Sequence, residues 1–221
     1  MDEKKELLQK LAEAVEKGKA DINSPYPPEL KGQKGASELT LDALELKISP
    51  GEILNDSLMT AMNSIGEKFS QGKAFIPNLL IAAKAMNAAM EHLKPYFESG
   101  EVKHRGTMVI GTVSGDLHDI GKNLVKMVMK GDGWDVVDLG VDVSPEKFNK
   151  AVGENPGCIV GLSALLTTTM LNMEGTVKLI RENYADTKIF IGGAPVSQQF
   201  CDKIGADGYY PDPHGLVKHF H

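Results

Sequence analysis

The feature that most constrains this chain is a change of pattern at its midpoint. Residues 1–100 contain seven glycines and residues 101–221 contain sixteen. Glycine is costly inside helices and useful in the tight turns that join strands to helices. The two halves therefore call for different architectures. A chain of 221 residues is long for one compact domain and comfortable for two of about 100 residues each.

The first half carries helical periods only. Leu7, Leu8, Leu11 and Val15 recur at helical spacing, and Leu39, Ala43, Leu44 and Leu46 predict a short second helix. Ser49-Pro50-Gly51-Glu52 is a helix start, with Ser as N-cap, Pro in the first turn and Glu three residues after the cap. Leu54, Leu58, Met62, Ile65 and Phe69 follow in steps of three or four, until Gln71-Gly72-Lys73 breaks the run. Pro77 opens a fourth helix, rich in Ala and Met, to about Leu93. Four helices with short joints predict an antiparallel bundle. The Pro- and Gly-rich segment 21–36 reads as a loop longer than a bundle needs.

The second half alternates. Apolar runs at Thr107–Val113, Trp134–Leu139, Cys158–Leu162 and Lys188–Ile191, with a weaker one at Gly208–Tyr210, read as strands. Helical stretches at 119–130, 145–153, 168–183 and 196–203 lie between them, and a last helix follows Asp212. That alternation predicts a doubly wound, five-stranded parallel sheet covered on both faces. The expected division is 1–98 helical, 99–105 linker and 106–221 α/β.

Several function classes drop out. No stretch approaches 18 consecutive apolar residues, and MDEKKELLQK lacks the apolar core of a signal peptide. Cys158 and Cys201 form no C-x-x-C pair, so a cytoplasmic protein without disulfides or a zinc ribbon is expected. A net charge of −6 without a basic cluster argues against nucleic acid as a partner. No membrane partner is expected either.

Ligands of open parallel sheets bind at the carboxyl ends of the strands. There, among six histidines, His118 stands out. It sits past the tip of the first strand, and Asp116 two residues back can bond one ring nitrogen and leave the other free. Gly121 permits close approach of something bulky, and Gly192-Gly193 clears side chains from the neighbouring crevice. One histidine cannot hold bare zinc, which takes three or four protein ligands. A lone axial ligand suits a metal already caged by a macrocycle. The remaining histidines (His92, His104, His214, His219, His221) read as surface positions. Lys122 and Asn123 read as the exposed start of a helix, and Met86 and Met90 as core filler.

Asp-x-His-x-x-Gly (Asp116, His118, Gly121), Ser-x-Leu (Ser163, Leu165) and Gly-Gly (Gly192, Gly193) together resemble the signature of cobalamin-binding domains, whose fold is flavodoxin-like or Rossmann-like. Gly66-Glu67-Lys68-Phe69 and Phe75-Ile76-Pro77-Asn78-Leu79 resemble the helical cap of methionine synthase and of small corrinoid methyl carriers. The 21–36 loop looks like an insertion. The resemblance implies a cobalamin or related corrinoid whose cobalt takes His118 as lower axial ligand. Asp116 would bond the far ring nitrogen, with Thr169 extending the relay. Gly115, Leu117, Asp119 and Ile120 would join the cofactor contacts, although Asp119 also reads as a plain helix cap. Ser163, Leu165, Thr167, Gly192 and Gly193 would line a slot for the nucleotide tail. Phe69, Ile76 and Leu79 would shield a methyl group above the ring.

The implied activity is methyl carriage in one-carbon metabolism, typically anaerobic. Cob(I)alamin accepts the methyl group from a substrate-specific methyltransferase. Methylcob(III)alamin passes it to a second methyltransferase that serves tetrahydrofolate or a thiol, and a reductive activation protein restores the cofactor. The cap must move aside for each partner. The methyl donor (methylamine, methanol, betaine or aryl methyl ether) is not written in the motifs. A second reading is the cobalamin-binding subunit of an adenosylcobalamin-dependent mutase, which usually lacks such a cap. A light-sensing regulator needs a DNA-binding module that this acidic chain has no room for. A flavodoxin-like receiver or nucleotide binder gives no reason for the Asp116–His118 pair, and no phosphate-binding glycine loop follows the first strand.

Overall fold

A computed structural model describes residues 3–221. The chain forms two compact units. One runs to His104 and takes in Gly131–Gly133; the other comprises Arg105–Lys130 and Trp134–His221.

The first unit is helical. Helix α1 (Glu3–Glu16) buries Leu11, Ala14 and Val15. After an irregular stretch with one 3-10 turn at Pro28–Leu30 comes α2 (Ala36–Glu45). Three helical pieces then follow without a break: α3 (Pro50–Glu52), a π-helix (Ile53–Met59) and α4 (Thr60–Ser70). The start is a full capping box. Ser49 Oγ accepts the Glu52 N–H at 3.2 Å, and the Glu52 carboxylate accepts the Ser49 N–H at 3.0 Å. Helix α5 (Ile76–Glu98) buries Leu79, Ala82, Ala83, Ala85, Met86, Ala89 and Leu93, a stripe at helical spacing whose small residues allow close approach. It packs on α2 and α4, and α1 packs on all three.

Sequence and structure differ here in three places. Leu46 lies beyond the end of α2 and is exposed, because Lys47 turns the chain with a positive φ. Helix α5 continues past Leu93 through Pro95, and Ser99 N–H closes its last turn on the Pro95 carbonyl. His92 is half-buried, since its ring nitrogen Nε2 pairs with Ser37 Oγ at 2.8 Å.

The second unit holds a five-stranded parallel sheet in the order β2-β1-β3-β4-β5. Its strands are β1 (Thr107–Thr112), β2 (Asp135–Asp138), β3 (Ile159–Ser163), β4 (Ile189–Gly192) and β5 (Gly208–Tyr209). Strands β1 and β3 are buried along nearly their whole length, which is why they read as apolar runs rather than alternations. Val109, Val160, Leu162, Ile189 and Ile191 form one core with Phe148, Met173, Val177, Ile180 and Phe200 from the covering helices. Strand β2 begins and ends in exposed Asp135 and Asp138, while β5 is only two residues long, with Pro211 and Pro213 close behind.

The helices of this unit are α6 (Ile120–Gly131), α7 (Pro145–Glu154), α8 (Thr167–Met170), α9 (Asn172–Asn183), α10 (Gln198–Ile204) and α11 (Pro213–His219). Ser144, Ser197 and Asp212 cap α7, α10 and α11 through their side-chain oxygens. The expected helix 168–183 is two pieces divided at Leu171. Two residues assigned to the surface are inside. Lys122 is 3% exposed because Asp138 at the end of β2 binds its ammonium. His214 is 6% exposed, carried in by α11 with Leu216 and Val217.

Candidate functional site

The strand order reverses direction at β1: β2 lies on one side of it and β3 on the other. The crevice between the carboxyl ends of β1 and β3 is the natural ligand position in such a sheet. Gly115, at φ 81°, turns the chain after β1 and delivers Asp116 to the inside of this crevice.

Asp116 is fully buried and accepts five hydrogen bonds. Oδ1 takes the His118 N–H at 3.0 Å and His118 Nδ1 at 2.8 Å. Oδ2 takes the Leu165 and Leu166 N–H groups at 2.8 and 3.3 Å and the Thr169 hydroxyl at 2.5 Å. Burial pushes the Asp116 carboxyl up, but the bonds from Thr169, Leu165 and His118 outweigh it and hold it well below the usual carboxylate range. An ionised carboxylate only accepts, so Nδ1 of His118 carries the proton of this bond, which in the neutral ring puts the lone pair on Nε2.

The His118 ring is half exposed, its side chain at 51%, and Asp116 engages only Nδ1. Thr112 Oγ1 donates to the His118 carbonyl at 2.9 Å and ties the loop to the strand. The segments that follow β1 and β3 expose Leu117, Ile120, Leu165, Leu166 and Leu171, with Leu117 at 72% and Ile120 at 69%. Nothing stands within 4 Å of a Cβ built on Gly121. No group of three or more His, Cys, Asp or Glu side chains among the described residues could hold a metal ion. These segments thus carry one nitrogen donor together with five exposed apolar side chains.

The comparisons with known proteins agree with this chemistry. A family model described as "B12 binding domain" matches residues 106–214, and a second of the same description matches residues 33–94. Trimethylamine corrinoid protein 1 of Methanosarcina acetivorans is 42% identical over 79% of this chain and 82% of its own length. This chain belongs to the corrinoid proteins. Dimethylamine corrinoid protein 1 of the same organism is 38% identical over 93% of this chain and 92% of its own. Among solved structures, the methanol:cobalamin methyltransferase complex MtaBC from Methanosarcina barkeri aligns with a TM-score of 0.80 at 30% identity, covering 96% of this chain and 77% of that one.

A corrinoid protein binds cobalamin or a related corrinoid, and the residues present fit that group. The cobalt of such a ring would take a nitrogen donor from the protein, and His118 is the residue that would supply it. The ring would need apolar surface beside it, and the exposed leucines and Ile120 are the side chains that would supply it.

The other candidate residues fall as follows. Asp119 is exposed at the start of α6, where its carboxylate accepts from the Asn123 side chain at 2.9 Å rather than from a backbone N–H. Ser163 and Gly192 face each other in register at the ends of β3 and β4, both half-buried, and Thr167 is exposed at the start of α8. Gly193 meets a structural requirement. At φ 134° its backbone passes so close to β3 that a Cβ would lie 1.8 Å from the Ala164 carbonyl oxygen.

In the helical unit Phe69 is half-buried and Ile76 is 40% exposed. Leu79 is a correction: at 1% exposure it belongs to the bundle core, with no surface to offer a ligand. Phe75 at 67% and Leu80 at 42% are the exposed apolar neighbours of Ile76. Asn78 Oδ1 accepts the Phe75 N–H at 2.9 Å and fixes this helix start. Sequence reasoning also missed the Leu165 and Leu166 amides, since backbone donors leave no mark in residue type. The two buried cysteines take no part; burial pushes both thiols up.

Proposed function

We propose that this chain carries a methyl group on a cobalamin-type cofactor, with His118 as the axial ligand to cobalt. The single observation behind this reading is the buried, ionised Asp116, which commits His118 to present Nε2 beside an open apolar floor. The kinship with trimethylamine and dimethylamine corrinoid proteins supports a methylated amine as the source of the methyl group.

When bound, the cofactor supplies a cobalt atom that takes up and gives away a methyl group. The chain's residues do the rest. Asp116 orients the imidazole and holds its Nδ1 proton, and Thr169 orients Asp116. Ser163, Thr167, Gly192 and Gly193 leave room beside β3 and β4 for the nucleotide tail of the cofactor. Leu117, Ile120 and Leu165 keep water from the lower face. Phe69 and Ile76, joined by Phe75 and Leu80, form the shielding surface offered by the helical unit.

The partners in this reading are a substrate-specific methyltransferase, a second methyltransferase serving tetrahydrofolate or a thiol, and a reductive activator. Similarity to one chain of a methanol:cobalamin methyltransferase complex supports the first of these.

The test is reconstitution with hydroxocobalamin, desalting, and a visible spectrum beside that of His118→Ala. Wild type is expected to keep a stoichiometric pink cofactor with a spectrum distinct from the variant's. Loss of cofactor from wild type would overturn the reading. Identical spectra would overturn axial ligation alone. Incubating the holo-protein with methyltransferases for trimethylamine, dimethylamine and methanol then identifies the donor.

A further inference from the structure

Asp142 lies in the turn after β2, and its hydrogen bonds go to neither the Asp116 carboxylate nor the His118 ring. Its φ is 52°, in the left-handed region that side-chain-bearing residues avoid and that Asp and Asn tolerate best. From this conformation it makes contacts on both sides of one peptide. Its Oδ1 accepts the Gly115 N–H at 2.7 Å, with the Ser114 hydroxyl at 3.5 Å. Its own N–H donates to the Asp116 carbonyl at 3.0 Å. One residue thus grips the Gly115–Asp116 segment from its side chain and its main chain together.

That segment needs a grip. Gly115 has the widest conformational choice of any residue type and stands three residues before His118. Asp142 is itself well anchored. The next residue, Val143, bridges to Val113, and its N–H donates to the Thr112 carbonyl at 2.9 Å. The demand on residue 142 is narrow: a left-handed backbone and a short acceptor side chain. Glycine meets the first requirement only, alanine meets neither, and asparagine meets both.

We propose that Asp142 is a positioning residue for the axial ligand, clamping the Gly115–Asp116 peptide so that His118 presents Nε2 in one orientation. The proposal rests on His118 ligation as read above. The test uses full-length protein labelled with 15N-histidine, reconstituted with hydroxocobalamin and reduced to the cobalt(II) state. Electron paramagnetic resonance then reads histidine–nitrogen coupling to cobalt and separates it from coupling to the cofactor's own base. Hydrogen exchange of the cofactor-free protein reads the Gly115 and His118 amides.

In Asp142→Gly the coupled-to-uncoupled ratio and the protection of those two amides are expected to fall about tenfold, the equivalent of about 1.4 kcal/mol. Amides of β1, β3 and β4 should keep wild-type protection, and Asp142→Asn should stay within about twofold of wild type on both readouts. Three outcomes would overturn the proposal: full coupling in Asp142→Gly, loss of protection across the whole sheet, or Asp142→Asn behaving as Asp142→Gly does. Wild type without histidine coupling would overturn axial ligation itself, and this proposal with it.

Discussion

The two adjacent glycines at the end of β4 are expected to respond in opposite ways to the same added methyl group. A Cβ at Gly193 would lie 1.8 Å from the Ala164 oxygen, so more than an ångström of movement is needed to relieve it. The surroundings resist that movement. The Ala164 N–H bonds the Gly192 carbonyl at 3.2 Å, the Val196 N–H bonds the Gly193 carbonyl at 3.0 Å, and Ser163 pairs with Gly192 in the ladder. A φ of 134° adds conformational strain for any residue with a Cβ.

Strain of about 2 kcal/mol and overlap of about 2 kcal/mol give Gly193→Ala a cost of about 4 kcal/mol. For a chain of this size that lowers the melting temperature by roughly 8–16 °C. A Cβ at Gly192 meets only the Tyr210 carbonyl oxygen at 3.5 Å, an ordinary contact. Gly192→Ala should therefore change stability by less than about 0.5 kcal/mol, while its methyl group should enter the proposed tail slot and weaken cofactor binding about tenfold. The assays are thermal unfolding of the cofactor-free protein by circular dichroism, and titration with hydroxocobalamin. A cofactor-free Gly193→Ala melting within about 2 °C of wild type would refute the close-approach argument. Wild-type affinity in Gly192→Ala would refute the slot.

Thr169→Val removes the shortest bond to a buried carboxylate and should cost about 2 kcal/mol in urea unfolding of the cofactor-free protein, whereas Thr169→Ser, which keeps the hydroxyl, should cost under about 1 kcal/mol. Leu79→Ala should cost about 3 kcal/mol as a core truncation, against less than about 1 kcal/mol for the exposed Ile76→Ala. On the shielding role proposed for Ile76, only its change should speed attack by water or light on the methylated cofactor at unchanged fold stability. Asp138→Asn leaves the buried Lys122 ammonium without its counter-charge and should cost about 3 kcal/mol, while Lys122→Met should cost less than half of that. Burial pushes the Asp138 carboxyl up, yet Lys122, Lys126 and the Gly140 N–H outweigh it and hold it at about 2, below the ordinary 3.8. A depressed folded value means stability that is complete above the ordinary value and lost as pH falls through about 2. Discounted for the solvent around this exposed residue, it amounts to about 1 kcal/mol. Melting curves of wild type and Asp138→Asn should accordingly draw together between pH 4 and pH 2, and parallel curves would contradict the assignment.

The strands were readable because a parallel sheet buried on both faces writes itself as uninterrupted apolar runs. The helix starts were readable because Ser49, Ser144 and Asp212 act through their own side chains on N–H groups three residues away. Asp116 and His118 were recoverable as a pair because they stand two residues apart, whereas Thr169, 53 residues on from Asp116, was implied only by the resemblance. What escaped depends on partners distant in sequence. Lys122 looks like a surface lysine until Asp138, sixteen residues on, is placed beside it. Leu79 and Leu80 are equivalent in composition, and only the packing of α5 decides that the first is inside. Nothing near Leu171 signals the division of α8 from α9. The close approach of Gly193 to the Ala164 carbonyl likewise joins residues far apart in sequence.

The sheet's margins carry a consequence for how this protein behaves in a crowded solution. Strand β2 has only four residues and starts on exposed Asp135, so it gives a second copy little backbone to pair with. On the far side β5 offers two residues before Pro211 and Pro213, too little backbone to template a neighbour. Both borders are thus blunted against edge-to-edge aggregation. Molecules that meet this protein must recognise the side chains on its faces, because neither border offers a strand to zip onto.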